Sequence, residues 1–224
     1  MKQPCRNAQV PIWGSVMFSV LALGCAHKIT VEIPPRIDLQ TYQTIGIVEF
    51  SSNSTARLNE FATQNFMSVI QGAQPPVRFL ELGSEEQALK SVDRQRLDPY
   101  AIKALGKKHG VSTIFSGNYE ISNVKPKVRL GEDLSSVSAS ANVSVSMVSK
   151  HWDTGTGATI WTNSRQGQWP VASVQKGTRN PVSFSLSIPE DQYEQFIGKL
   201  VYALTNDFRP HYERRKERRK VPNP

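Results

Sequence analysis

The pattern of apolar and polar positions predicts alternating strands and helices in the first half of the chain. Residues 44–50 (TIGIVEF) and 77–82 (VRFLEL) are short runs rich in apolar and β-branched residues, as expected for strands. Apolar residues three and four positions apart predict one helix before the second run and two helices after it. The expected N-terminal caps are Ser51-Ser52-Asn53-Ser54, the capping box Ser84-Glu85-Glu86-Gln87 and Asp98-Pro99. Gly72 and Gly110 are expected to end the first and third helices.

After Gly110 the spacing changes to that of strands. Apolar residues then alternate with serine and asparagine, and a glycine-containing turn at 153–157 (DTGTG) joins two strands of a hairpin. The predicted elements of this half are strands at residues 111–124, 136–147 and 158–169 and a helix at 187–208. The resulting order is β α β α α β β β α. It predicts an α+β fold, a single two-layer domain at residues 44–208 with a mixed sheet and helices on one side.

The N-terminus resembles the signal peptide of a bacterial lipoprotein. Lys2 and Arg6 precede an apolar run that is shorter than the roughly 20 residues needed to span a bilayer as a helix. The run ends at residues 21–25 (LALGC), which resemble the lipobox at which bacterial lipoproteins are cleaved and acylated, although Leu is commonest where Ala22 stands. The resemblance implies removal of residues 1–24 and lipidation of Cys25, with palmitate among the acyl chains. The alternative is an uncleaved anchor or a soluble secreted protein.

Cysteine use agrees with lipidation. The chain has two cysteines, and Cys5 lies in the segment that cleavage removes. With Cys25 acylated, no thiol remains for a disulfide, a metal ion or a nucleophile. In Gram-negative lipoproteins an Asp after the lipidated Cys usually retains the protein at the inner membrane, so Ala26 implies the outer membrane and a domain that faces the periplasm. Residues 25–43 are polar and interrupted by proline, and we expect a flexible tether there.

The net charge of +8 is concentrated at the two ends of the chain. Residues 209–220 carry a net charge of +5, and the two basic residues before position 7 add +2. Residues 7–208 therefore carry a net charge of only +1. A nearly neutral domain does not fit a nucleic-acid-binding surface, and no nucleic-acid partner is expected. Residues 209–224 are expected to form a basic tail that is either a solvated end or a contact with anionic lipid headgroups. The residues for that contact are Arg214, Arg215, Lys216, Arg218, Arg219 and Lys220.

Three segments resemble a group of periplasmic domains found in bacterial lipoproteins. They are residues 45–50 with the Ser/Asn loop that follows, residues 105–117 (LGKKHGVSTIFSG) and residues 153–161 (DTGTGATIW). Similar segments occur in domains related to the N-terminal domain of the Tol translocation protein. That group includes the curli secretion channel lipoprotein and the outer-membrane lipoprotein activators of penicillin-binding proteins. The resemblance implies the same α+β fold over residues 44–208.

The sequence shows no motif for a catalytic, cofactor-binding or metal-binding site. The histidines lack the spacing of metal ligands and are expected at the surface: His27, His109, His151 and His211. Residues 155–157 (GTG) join two strands without a following helix, so a turn is expected and not a phosphate-binding loop. The tryptophans of the hairpin are expected in the core or on the sheet surface and not as a sugar platform: Trp152, Trp161 and Trp169.

These features predict a membrane-anchored periplasmic lipoprotein that binds another envelope protein for assembly or regulation, without catalysis. The alternative is an oligomeric export-channel subunit resembling the curli secretion lipoprotein, because strands with apolar and small polar faces also form pores. Two features weigh against a pore: the Ala and Val face of residues 136–147 lacks aromatic residues, and no hairpin longer than the domain needs is predicted. An enzyme acting on envelope glycans is a third interpretation.

Overall fold

Nine strands, four α-helices and one 3₁₀ helix make up the part of the chain that the structure describes. The structure is a computed structural model and describes residues 27–122, 125–130, 137–175 and 188–217. The helices are α1 (Ala56–Ala73), α2 (Glu85–Ser91), α3 (Pro99–His109), α4 (Glu190–Leu204) and the 3₁₀ helix Thr205–Phe208. The strands are β1 (His27–Ile33), β2 (Ile45–Ile47), β3 (Ser51–Ser52), β4 (Phe79–Glu81), β5 (Thr113–Ile121), β6 (Lys125–Leu130), β7 (Val137–Asp153), β8 (Thr159–Gln175) and β9 (His211–Glu217).

Seven of these strands form one mixed sheet. They are hydrogen-bonded in the order β4-β2-β5-β7-β6, with β3 also paired to β5 and β8 paired to β7. Strand β2 runs parallel to β4 and β5, whereas β7 runs antiparallel to β5, β6 and β8. The predicted α+β class with a mixed sheet is therefore confirmed. Strands β1 and β9 form a separate two-stranded sheet, and the chain divides into two compact units at boundaries after Val31 and before Glu213.

Helices pack against both faces of the large sheet. Consecutive residues of a strand point to opposite faces. On β5, Phe115 belongs to a hydrophobic cluster with residues of α1 and α4, whereas Ile114 belongs to a second cluster with residues of α2 and α3. The predicted arrangement with helices on one side therefore holds for α1 and α4, while α2 and α3 form a further layer on the opposite face. Two adjacent apolar residues on one strand require cover on both sides.

The ends of α2 and α3 follow local sequence signals. The N–H of Gln87 donates to Ser84 Oγ at 3.3 Å, and the Ser84 N–H donates to Gln87 Oε1 at 3.1 Å, which is the predicted capping box. Asp98 Oδ1 accepts the N–H of Ala101 at 2.8 Å and caps α3. Gly110 ends α3 in the left-handed conformation (φ 68°), which favours glycine.

The ends of the two longer helices differ from the prediction. Helix α1 begins after Thr55 and continues through Gly72 to Ala73, so neither the serine-rich loop nor Gly72 marks its ends. Helix α4 begins at Glu190 with Pro189 as its N-cap, while Ser187, where the predicted helix starts, lies outside the described residues. Within the described ranges, no helix has the length and apolar character required to cross a membrane.

The segment predicted as a flexible tether contributes to the core. Within residues 25–43, β1 forms a strand and Leu39 is fully buried in the larger hydrophobic cluster. The buried amide of Gln74, directly after α1, holds this segment in place. Its Oε1 accepts the Leu39 N–H at 2.8 Å, and its Nε2 donates to the carbonyl oxygens of Ile37 and Phe208, both at 2.9 Å. The folded domain therefore begins earlier than the sequence pattern indicated.

The β7–β8 hairpin is longer than predicted. Each strand has 17 residues, which corresponds to about 55 Å of extended chain. Pairing runs from Ser138 opposite Gln175 to Trp152 opposite Thr159. Strand β5 pairs with the half of β7 nearest the turn, and β6 pairs with the far end. The expectation that no hairpin is longer than the domain needs is therefore wrong. The predicted strands end at residues 147 and 169, whereas β7 continues to Asp153 and β8 to Gln175.

Candidate interaction surfaces

An exposed tyrosine and an arginine form a fixed pair at the C-terminal end of α4. Tyr202 is 59% exposed. The guanidinium of Arg209 lies over the Tyr202 ring, 3.5 Å from its centre, and Nη2 donates to the Tyr202 carbonyl oxygen at 2.6 Å. Because Arg209 contacts both the ring and the backbone, the two side chains have little freedom to lose when a partner binds.

The buried face of α4 keeps this pair in position. The sequence pattern predicts an apolar face over residues 193–208. Its members Phe196, Ile197, Leu200 and Leu204, with Phe208 of the 3₁₀ helix, are buried in the larger cluster, and Tyr193 packs against it half-buried. The ring of Phe208 meets those of Trp161 and Phe115 at centroid distances of 4.7 and 5.5 Å. Tyrosine and arginine on a rigid element are typical of the residues that dominate protein interfaces. Sequence analysis missed the pair, and its signal is a tyrosine on the polar side of an amphipathic helix.

A polar face of the sheet lies opposite α1 and α4. Residues that pair directly across strands share a face, and the pairings of β5, β7 and β8 collect mostly small polar side chains there. These residues, which we call the polar sheet face, are Ser116, Asn118, Glu120, Ser144, Ser146, Val148, Lys150, Thr162, Ser164, Gln166 and Gln168. All except the buried Ser116 are exposed or half-buried. The one acidic and one basic residue leave this face neutral.

A cavity of about 220 Å³ lies at the end of the polar sheet face nearest α2. Trp152 Nε1 donates to Ser116 Oγ at 2.9 Å in its wall, and Lys150 Nζ lies 5.3 Å from the centre of the Trp152 ring. Small-molecule sites are usually larger, at about 300–1,000 Å³. The tryptophan ring is mostly buried, so the cavity offers hydrogen-bonding groups and no open aromatic platform.

The outer edge of β8 is interrupted at two points. An edge strand presents unpaired backbone groups that are able to pair with another chain. The Ser164 N–H donates to Asn163 Oδ1, and its carbonyl oxygen accepts from Arg165 Nη1, both at 2.9 Å. These groups therefore point away from β7. Pro170 lies six positions further on, an even number, so its backbone also faces the outer edge, where proline has no N–H to donate. Strand addition along β8 is blocked at both positions.

A basic strand occupies part of the predicted tail. Strand β9 contains Arg214, Arg215 and Lys216 and pairs with β1, so the predicted tail is not simply a solvated end. Arg214 and Arg215 are exposed, and Arg215 Nη2 lies 3.3 Å from Glu213 Oε2. The other predicted headgroup residues, Arg218, Arg219 and Lys220, lie outside the described residues, as does the predicted lipidation residue Cys25.

His151 lies in the core, which corrects the prediction of a surface position. Its ring stacks on Phe115 with centroids 4.0 Å apart, and the ring of Tyr42 meets it edge-on at 5.7 Å. Neither ring nitrogen has a hydrogen-bond partner within the described ranges. Burial lowers the pKa of His151 to about 3, an effect that the carboxylate of Asp153 opposes. The neutral ring is an aromatic core residue. His109 ends α3, half-buried, and His211 begins β9, exposed.

The structure confirms the predicted turn and the predicted packing of the hairpin tryptophans. Residues 154–156 form a turn in which Asp153 Oδ1 accepts from the Thr156 N–H and hydroxyl at 2.6 and 2.7 Å. These two bonds lower the pKa of the Asp153 carboxyl. Trp152 and Trp161 belong to the hydrophobic clusters, and Trp169 stacks on Phe196 at 4.6 Å. The hairpin tryptophans are therefore packing residues.

An acidic cavity of about 210 Å³ lies at the carboxyl ends of β2 and β4. Glu49, Glu60 and Glu81 line it. Burial raises the pKa of Glu49, and the neighbouring Glu60 and Glu81 carboxylates raise it further. Among the side chains that the structure describes, no group of three or more His, Cys, Asp or Glu residues is arranged to hold a metal ion.

No protein-family model matches this chain, and no curated protein matches it significantly. Solved structures with some similarity include the PelC dodecamer from Paraburkholderia phytofirmans, at 11% identity and a TM-score of 0.38, over 82% of this chain and 98% of that chain. The lipoprotein GNA1162 from Neisseria meningitidis has 14% identity and a TM-score of 0.35, over 73% of this chain and 95% of that chain. The C-terminal domain of LpoB from Escherichia coli has 10% identity and a TM-score of 0.32, over 58% of this chain and 87% of that chain.

A bacterial lipoprotein is thus among the proteins of similar structure. At these identities and TM-scores, the similarities carry no argument about what this chain does.

Proposed function

We propose that this protein is a lipid-anchored lipoprotein of the bacterial outer membrane whose α+β domain faces the periplasm and binds another envelope protein. It serves assembly or regulation of the envelope and not catalysis. Cys25 is the anchor, which the lipobox-like residues 21–25 support, and Ala26 supports the outer membrane. Residues 1–24 are the signal peptide. Acyl chains at Cys25 hold the protein at the bilayer without further protein contact, and basic residues after Pro210 add contact with anionic headgroups.

The Tyr202–Arg209 pair is the main support for the partner-binding role. A large aromatic side chain exposed on a rigid helix offers apolar area at low entropic cost, and the stacked guanidinium adds hydrogen-bond donors for a partner. The pair lies on the outer side of α4, and the inner side of this helix is buried in the core. A partner is therefore able to bind there without disturbing the fold.

A photocrosslinking amino acid at position 202 tests this role in intact cells. Tyr100 supplies the matched control position, because it is also a tyrosine on a helix and is 68% exposed. We expect a discrete adduct between position 202 and one other envelope protein, and none at position 100. With that partner purified, Tyr202→Ala should weaken binding at least about tenfold, as for an interface anchor, and Tyr100→Ala should not. Equal adducts at both positions would refute the assignment.

The second candidate function is an oligomeric export-channel subunit. One observation favours it: the far end of the β7–β8 hairpin pairs with β6, beyond the part of β7 that pairs with β5. This three-stranded extension is longer than the domain core requires. The blocked edge of β8 opposes assembly by strand addition at Ser164 and Pro170.

The size of the protein after extraction in mild detergent separates the two candidates. The partner-binding module predicts a particle with the mass of one chain, or of one chain with its partner. A channel subunit predicts a ring of many copies. In the crosslinking experiment, an adduct between two copies of this chain at position 202 would likewise favour the channel.

A further inference from the structure

Strand β9 separates its charges onto two sides. Residues two positions apart in a strand share a side, and Glu213 and Arg215 do so as an ion pair at 3.3 Å. Arg214 lies between them and points to the opposite side, where it is exposed and forms no ion pair within the described part of the chain. Among the described side chains, the side of β9 that carries Arg214 is therefore cationic, whereas on the other side Glu213 neutralises Arg215.

The strand paired with β9 begins next to the proposed lipid anchor. Strand β1 starts at His27, two residues after Cys25, and two residues span at most about 7 Å. On the proposed function, the acyl chains at Cys25 thus place the start of this two-stranded sheet at the level of the lipid headgroups. Those headgroups offer phosphate oxygens, which guanidinium groups bind through paired N–H donors.

We propose that β9 binds the phosphates of anionic lipid headgroups through the side that carries Arg214, and not through Arg215. This inference rests on the proposed lipid anchor. It restricts the headgroup contact, expected of all six basic residues of the tail, to the side of β9 that carries Arg214. Arg215 already donates to the Glu213 carboxylate, so binding a phosphate would require it to give up that ion pair. Among the residues that the structure describes, Arg214 has no such competing contact.

Adjacent arginines provide a matched pair of variants, because Arg214→Gln and Arg215→Gln change net charge equally. The chain from residue 25 with Cys25→Ser keeps every residue that the structure describes and removes the acyl chains. Its co-sedimentation is measured with phosphatidylglycerol-containing vesicles and with pure phosphatidylcholine vesicles, at low and high salt. We expect Arg214→Gln to weaken binding to the anionic vesicles about fivefold at low salt, and Arg215→Gln to change it less than twofold. High salt should abolish the difference.

Arg214→Lys, which keeps the positive charge, should retain most of the binding, and unchanged urea unfolding midpoints show that the variants fold. Equal weakening by the two glutamine variants would overturn the assignment to one side of β9. Binding of the unsubstituted chain to neutral and anionic vesicles alike would overturn a headgroup phosphate as the ligand. Neither result bears on acylation, which fatty-acid labelling in cells tests independently.

Discussion

The imidazole of His151 makes the stability of the domain depend on pH. It is buried between Phe115 and Tyr42, and within the described residues its nitrogens have no hydrogen-bond partner. Burial lowers its pKa to about 3, whereas a histidine in an unfolded chain titrates near 6.5. Between these values the unfolded chain binds a proton that the folded chain does not, so acid favours unfolding.

We expect the stability that neutral His151 provides to be complete above about pH 6.5 and to be lost as the pH falls toward 3. The slope is on the order of 1.4 kcal/mol for each pH unit. Urea unfolding at several values between pH 7.5 and 4.5 measures it. His151→Phe keeps the aromatic packing and removes the titration, so the difference between the two proteins isolates this effect from that of carboxylates. Identical pH dependence of both proteins would contradict the account.

The burial of His151 is readable from the strand period, although histidine as a residue type favours a surface position. Val143, Val145 and Met147 occupy alternate positions of β7 and are buried, and continuing that period reaches His151. The side-chain type suggested the surface, but the position in the strand determines the burial. The exposure of Tyr202 is readable in a similar way, from its place on the polar side of an amphipathic helix. Its contact with Arg209 is not, because that contact depends on how the chain turns after α4.

At the scale of elements, local signals were predictable and distant contacts were not. The caps of α2 and α3 involve residues three positions apart, so the sequence pattern contains them. The position of residues 37–39 depends on Gln74, which lies 35 positions after Leu39 in the sequence, directly after α1. A segment rich in polar residues and proline therefore looked like a tether.

Gln74→Ala should weaken the attachment of residues 37–39 to the domain. The substitution leaves the Leu39 N–H and the carbonyl oxygens of Ile37 and Phe208 without their side-chain partner. Each buried group left unpaired costs about 1–3 kcal/mol, and we expect a total loss on the order of 3 kcal/mol in the free energy of unfolding. Urea denaturation measures the loss, and limited proteolysis at low protease should show earlier cleavage between residues 34 and 43.

Gln64→Ala is the matched control, because Gln64 lies on the exposed side of α1 and bonds only to Glu60 among the residues described. Its effect should stay within about 0.5 kcal/mol. Equal effects of the two substitutions, with unchanged cleavage before residue 44, would mean that the Gln74 amide does not hold this segment.

For the whole molecule, the order of helices and strands in the sequence predicts the fold class. It does not predict that helices cover both faces of the sheet. Ile114 and Phe115 form an adjacent apolar pair, which already requires cover on both faces of the sheet. The distribution of helices between those faces depends on the order of strands in the sheet. That order cannot be predicted from local sequence patterns, because it depends on pairing between strands far apart in the sequence. The length of the β7–β8 hairpin was missed for the same reason.

The proposed function requires that acyl chains at Cys25 hold this domain at a membrane. Metabolic labelling with a radioactive fatty acid tests it most directly, in cells that express the full chain, Cys25→Ser or Cys5→Ser. Cys5 is the control, because it is the other cysteine of the chain and lies in the segment that cleavage removes. We predict labelled, membrane-bound protein for the unsubstituted chain and for Cys5→Ser, and unlabelled, uncleaved or soluble protein for Cys25→Ser. Equal labelling of Cys25→Ser and the unsubstituted chain would contradict the lipoprotein assignment.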